Sequence, residues 1–160
     1  MSVISTAIER LPILRSRGIY FDEKMVGYHV LQTGPRKGER LDFMFTAAAQ
    51  SETIPGFFGA GGGVIALDGE VKAEGLAAKS PMRGTIRMDP RAKVGVMTYD
   101  FDFTGDDGKP YHFHGFKNRE GLVDTLYGKV LDFEGGLVSE GTTYFDYDEL
   151  WKFVRSFKLV

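Results

Sequence analysis

Residues 94–117, VGVMTYDFDFTGDDGKPYHFHGFK, constrain the fold more than any other stretch of the chain. Met97, Tyr99, Phe101 and Phe103 fall on one parity; Thr98, Asp100, Asp102 and Thr104 fall on the other. Strict period-two alternation belongs to a strand with one buried and one wet face. Asp106-Asp107-Gly108 then turns the chain into a second strand. Two closures compete. A two-residue type I′ turn at Asp107-Gly108 pairs Phe103 with His112. A three-residue turn, with Gly108 left-handed beside a bulge, pairs Phe103 with Tyr111. A one-residue slip exchanges the faces of the second strand. The second register gathers Tyr99, Phe101, Phe103, Tyr111 and Phe113 on one face. It leaves His112 and His114 outside with Asp100 and Asp102. It is the preferred register, because each buried ring contributes about 1.5–3 kcal/mol and would be wasted in water. Pro110 has no N–H donor and must sit beside the turn or at an unpaired position.

The other segments follow the same pattern. Met25 to Gln32 and Leu41 to Ala47 read as a hairpin across the basic turn Gly34-Pro35-Arg36-Lys37-Gly38. Val64 to Asp68 and Glu70 to Leu76 read as a strand pair about Gly69. Their inward residues are small, which in a closed barrel leaves room for packing or for a ligand. Gly84 to Met88, Thr125 to Phe133 and Leu137 to Phe145 add strands. Short helices are expected over Ser2 to Arg10 and Tyr147 to Phe157; in the second, Leu150, Phe153, Val154 and Phe157 form an apolar stripe beside Trp151. The terminal Lys158-Leu159-Val160 suits an edge strand. With 13 Phe, 7 Tyr and 21 Gly in 160 residues, these short alternating segments favour an all-β protein.

The expected fold is therefore mainly β: an antiparallel β-barrel or curved sheet, lipocalin-like in outline, with short N- and C-terminal helices. Residues 1–160 form one barrel-like domain, with a loose duplication between 20–80 and 81–160 left open. A net charge of −2 offers no electrostatic lure for nucleic acid. The chain has no Cys, so thiol and disulfide chemistry are excluded. The start MSVISTAIERLP lacks a basic region followed by a long apolar run. Neither a signal peptide nor a membrane span is expected, and a cytoplasmic location is compatible.

The run from Tyr99 to Thr104, with Asp107-Gly108-Lys109-Pro110 and Tyr111 to Lys117, resembles an accessory region in some bacterial glucose-methanol-choline oxidoreductases of the cholesterol oxidase type. Met25-Val26-Gly27-Tyr28 and Gly84-Thr85-Ile86 fit the preceding part of that pattern. The resemblance implies a β-rich module associated with apolar, steroid-like or lipid substrates. No flavin-binding fingerprint is present, so no cofactor is expected and no catalytic residue is carried over.

Candidate chemistry is sparse. The glycines of Ile54 to Gly63 miss the dinucleotide-loop spacing, because the third glycine falls at Val64. Phe57 and Phe58 instead suit a loop at a barrel mouth. His112 and His114 are two apart on one strand and face the same way; His29 or Asp100 would have to supply a third ligand for a metal. No fixed ligand spacing supports that, so no metal is expected. In the other register both histidines turn inward as acid–base groups. No nucleophile motif occurs.

The first functional reading is binding of a hydrophobic small molecule (lipid, steroid or polyketide-like) in an aromatic- and Met-lined cavity. Its expected lining is Tyr28, Phe43, Phe45, Phe57, Phe58, Met97, Tyr99, Phe101, Phe103, Tyr111 and Phe113. The alternative is a cofactor-free cyclase, isomerase or dehydratase using Tyr99, His112 and His114. A third reading is a non-catalytic partner module pairing through an edge strand or a sheet face. Homo-oligomerisation is left open.

Overall fold

The computed structural model describes residues 18–51, 63–89, 91–120, 124–149, 152 and 155–160. Eight antiparallel strands run in chain order: β1 (Ile19–Leu31), β2 (Arg40–Ser51), β3 (Gly63–Ala73), β4 (Ala77–Met88), β5 (Met97–Thr104), β6 (Pro110–Lys117), β7 (Thr125–Asp132) and β8 (Leu137–Phe145). Each pairs with the next, and β1 also pairs with β8, which closes a barrel. Each of these eight strands thus has a paired neighbour on both sides. A two-residue strand, β9 (Lys158–Leu159), lies antiparallel to the start of β1.

The hairpin of β5 and β6 takes the aromatic-segregating register. Phe103 stands opposite Tyr111, and Thr104 opposite Pro110. Gly108 carries a φ of 76°, the left-handed conformation that the three-residue turn requires. Tyr99, Phe101, Phe103, Tyr111 and Phe113 are all buried, and His112 and His114 face outward.

Several expectations are corrected. Gly69 is not a turn; it lies within the continuous strand β3, and the chain reverses at Gly75, where φ is 84°. The strand expected at Gly84 to Met88 begins at Ala77 and runs through Pro81, whose missing N–H is tolerated at an exposed position opposite Glu70. The first strand begins at Ile19, six residues before Met25. The helix expected over residues 147–157 opens as a 3₁₀ turn, Tyr147–Glu149, and Lys152, Arg155 and Ser156 are helical. The rest of that segment, including Trp151, lies outside the described residues, as does the helix expected over residues 2–10. Among the described residues no helix is long and apolar enough to cross a membrane.

The barrel is filled by rings at its centre. Phe101 stacks on Phe113 at 4.5 Å between centroids, Phe43 stacks on Phe113 at 5.4 Å, and Phe45 meets Phe101 edge-on at 5.3 Å. Inward glycines make this packing fit. A Cβ on Gly128 would lie 2.4 Å from the Phe113 ring, and one on Gly115 would lie 2.6 Å from it. The space lined by Phe43, Phe113, Leu126 and Val130 is only about 10 Å³, roughly what one water occupies. At Gly115 and Gly128 the small inward residues serve packing.

Candidate functional site

Among the described residues, one hollow with room for a small molecule lies at one end of the barrel; another, of about 620 Å³, lies on the outer wall beside Tyr28, His114 and Tyr127. An up-and-down meander places its four hairpin turns together, at residues 32–39, 74–76, 105–109 and 133–136. Between them is a bowl of about 520 Å³, within the range of small-molecule sites. Leu31, Leu76, Tyr111, Phe133 and Val138 give it an apolar lining. Arg36, Lys109, Asp132 and Glu134 supply charge. Phe133 is 70% exposed at the edge of the bowl.

The rim is held by bonds between the turns. Arg36 pairs with Glu39 at 2.6 Å within the first turn and reaches Glu74 of the second at 3.6 Å. The Asp106 N–H donates to the Leu76 carbonyl at 2.8 Å, and the Asp106 carboxylate accepts from the Ala78 N–H. The Gln32 N–H donates to the Val138 carbonyl at 2.8 Å. Asp132 accepts from the backbone N–H groups of Glu134 and Gly136. These bonds brace the turns against one another. Tyr111 stacks on Phe103 and donates its hydroxyl to Asp107 at 2.6 Å. Desolvation, then the Asp107 bond, raises the Tyr111 pKa to about 12, so the phenol stays neutral.

Two polar groupings lie inside the wall. His29 is buried, with Nε2 facing the Glu74 carbonyl at 2.9 Å and Nδ1 facing Ser139 Oγ at 2.8 Å. A carbonyl only accepts, so Nε2 carries the proton and Nδ1 accepts from the serine hydroxyl. Desolvation depresses the His29 pKa, against the raising effect of its Glu74 bond. Below about pH 6.5 the unfolded chain takes up a proton that the folded His29 refuses, so stability falls with acidification. Urea unfolding at pH 7.5 and 5.0 checks this: the wild type should lose more stability than His29→Gln over that interval, and equal losses would contradict it.

The second grouping spans the barrel near its other end. Tyr99 on β5 donates to Glu23 Oε1 on β1 at 2.9 Å. Lys117 on β6 pairs with Glu23 Oε2 at 3.4 Å and lies 5.1 Å from the Tyr99 ring centroid. All three are buried. Burial, then the Glu23 charge and bond, holds the Tyr99 pKa well above its usual value.

On the outer face, Asp100 Oδ1 lies 2.9 Å from His112 Nε2 and 2.8 Å from His114 Nδ1. His112 Nδ1 lies 2.8 Å from Asp102 Oδ1. Desolvation lowers the His112 pKa, but bonds to Asp102 and Asp100 outweigh it and the net shift is upward. Desolvation raises that of Asp100, and bonds to His114 and His112 outweigh it downward.

Compared with known proteins, the chain matches no family model, no curated protein and no solved structure. The site therefore rests on its own geometry.

That geometry divides the expected lining. Tyr111 lines the bowl, with Phe103 stacked behind it. Phe43, Phe45, Phe101 and Phe113 fill the middle of the barrel, and among the described residues the space beside Phe43 and Phe113 there is only about 10 Å³. Met97 and Tyr99 sit towards the opposite end; Met97 stands across from Lys117. Tyr28 is corrected: it faces outward, its ring beneath the Arg40 guanidinium at 3.7 Å. His29 is likewise ruled out as a partner for His112 and His114, because it points inward. Phe57 and Phe58 lie outside the described residues. Sequence reasoning missed Glu23 and Lys117. Their parity was readable, since Glu23 alternates in step with Phe21 and Met25, and Lys117 with Tyr111, Phe113 and Gly115. It also missed Phe133 and Leu76, because turn residues carry no parity.

Proposed function

We propose that the chain binds a small apolar molecule, of lipid, steroid or polyketide-like type, in the bowl at the turn end of the barrel. The supporting observation is the bowl itself: about 520 Å³, apolar at Leu31, Leu76, Tyr111 and Val138, with Phe133 standing 70% exposed beside it. Apolar burial at roughly 25 cal/mol per Å² drives the association. Arg36 and Lys109 orient a polar or anionic end of the guest at the rim. The likeness of the β5–β6 hairpin to a cholesterol-oxidase accessory region supports putting sterols first. This reading moves the guest from the barrel's centre to its mouth, and the central rings support the floor. The catalytic alternative draws on Tyr99, His112 and His114; none of these lines the bowl, so binding without turnover is the better reading.

Thermal unfolding in the presence of a sterol, a fatty acid and an aromatic polyketide tests it. At a hundredfold excess over Kd, the best ligand stabilises by about 2.7 kcal/mol, a Tm rise of roughly 5–10 °C for a chain of this size. Phe133→Ser, at an exposed site, should keep the fold and lose most of the rise. Mass spectrometry should recover the ligand unchanged. No rise with any compound, or a full rise in Phe133→Ser, would count against the proposal.

A further inference from the structure

We infer that the outer face of β5 and β6 carries a binding site for a divalent transition metal of the zinc type, with His112 Nε2, His114 Nδ1 and an Asp100 carboxylate oxygen as ligands. The site is separate from the bowl, being built on strand faces rather than turns.

The backbone dictates the constellation. In this register Asp100 stands opposite His114 and Asp102 opposite His112, so two imidazoles and two carboxylates share one face. The three ligand atoms lie within 4.8 Å of one another. A tetrahedral ion with bonds of about 2.0–2.1 Å would draw them to roughly 3.3 Å apart, which half-exposed side chains reach by small rotations. Two imidazoles and a carboxylate suit zinc, nickel or copper better than the oxygen-seeking magnesium or calcium. Three protein ligands leave a fourth position for water.

The hydrogen-bond geometry also gives one ligand an outer partner. A carboxylate only accepts, so each ring nitrogen facing one must carry hydrogen. Both nitrogens of His112 face carboxylates, at 2.8 Å and 2.9 Å. With a metal bound, the ion takes the places of the protons at His112 Nε2 and His114 Nδ1, which pass to solvent, while His112 Nδ1–H stays bonded to Asp102. That is the carboxylate–histidine–metal arrangement by which an outer carboxylate fixes a ring's tautomer and orientation. Asp102 is thus a positioning residue. Arg83 and Lys129 flank the cluster in register and oppose the ion's charge, so affinity is set by the three ligands rather than by a general acidic field.

The test is calorimetric titration of the tag-free full chain with zinc chloride at pH 7.5, repeated with cobalt for its visible absorption. The expected result is saturable binding of one ion per chain with tetrahedral cobalt bands. His112→Gln and His114→Gln should each weaken binding at least a hundredfold and abolish the bands. Asp102→Asn should weaken it about 10–100-fold, and Asp148→Asn, an exposed carboxylate in the turn after β8, should leave it unchanged. Circular dichroism verifies that each variant is folded; should a glutamine variant not fold, His114→Ala takes its place. No saturable binding by the wild type, or binding that survives the loss of His114, would overturn the assignment.

Discussion

Phe113→Ala is expected to lower the unfolding free energy by about 3–5 kcal/mol, the cost of truncating a buried ring that its surroundings cannot replace. Phe113 is 3% exposed and touches rings from two other strands, Phe43 and Phe101. It also covers the two glycines of β6 and β7 whose missing side chains make its slot. Those glycines cannot move in to fill the gap, so the hole persists. Had Phe113 lined a preformed ligand cavity, its removal would only have enlarged that cavity at much smaller cost. Denaturant unfolding of wild type and variant measures the difference. A loss below about 1 kcal/mol would mean that the centre of the barrel is loosely packed and the guest's position must be reconsidered.

Removing Glu23 alone is expected to be as damaging, for a different reason. Glu23→Leu leaves the Lys117 ammonium buried without its carboxylate and the Tyr99 hydroxyl without its acceptor. Breaking one side of a buried pair costs about 3–5 kcal/mol. Replacing the whole cluster, as Glu23→Leu with Tyr99→Phe and Lys117→Met, should restore stability to about the wild-type level or exceed it by about 1–4 kcal/mol. The contrast between the single and triple variants is the informative quantity. If the triple variant stays as unstable as the single one, the ion pair is a net source of stability. Recovery would mean that the cluster contributes little to folding, and its retention in an apolar wall would call for another explanation.

Much of the fold was legible because period two is a strong signal when one face is greasy. Tyr99 to Phe103 and Tyr111 to Phe113 could be put in register by asking which pairing keeps five rings out of water, and the observed pairing is that one. The signal failed at Gly69 and Pro81. Both residue types commonly end strands, but here one lies inward where backbones crowd and the other faces solvent. Whether small inward residues mean a cavity or a tight fit depends on which ring reaches them. Phe113 reaches across from its own strand and its neighbour's, information that no one-dimensional pattern holds. The bowl was illegible for a related reason. It is made by four turns far apart in sequence, and only closure of the barrel brings Leu31, Leu76, Tyr111 and Phe133 together. The outer His112 and His114 were placed correctly by parity, yet their bond to Asp100 depended on the register.

On the proposed function the guest is held at the mouth of the barrel, above its ring-filled centre. The most direct measurement is a two-dimensional amide NMR titration with the ligand that most raises the Tm. The shifted amides should cluster in the four turns and their strand ends, at residues 31–39, 74–76, 105–111 and 132–138, while Phe45, Tyr99 and Phe101 stay unmoved. Shifts centred on those three buried residues, or spread evenly over the outer wall, would contradict it.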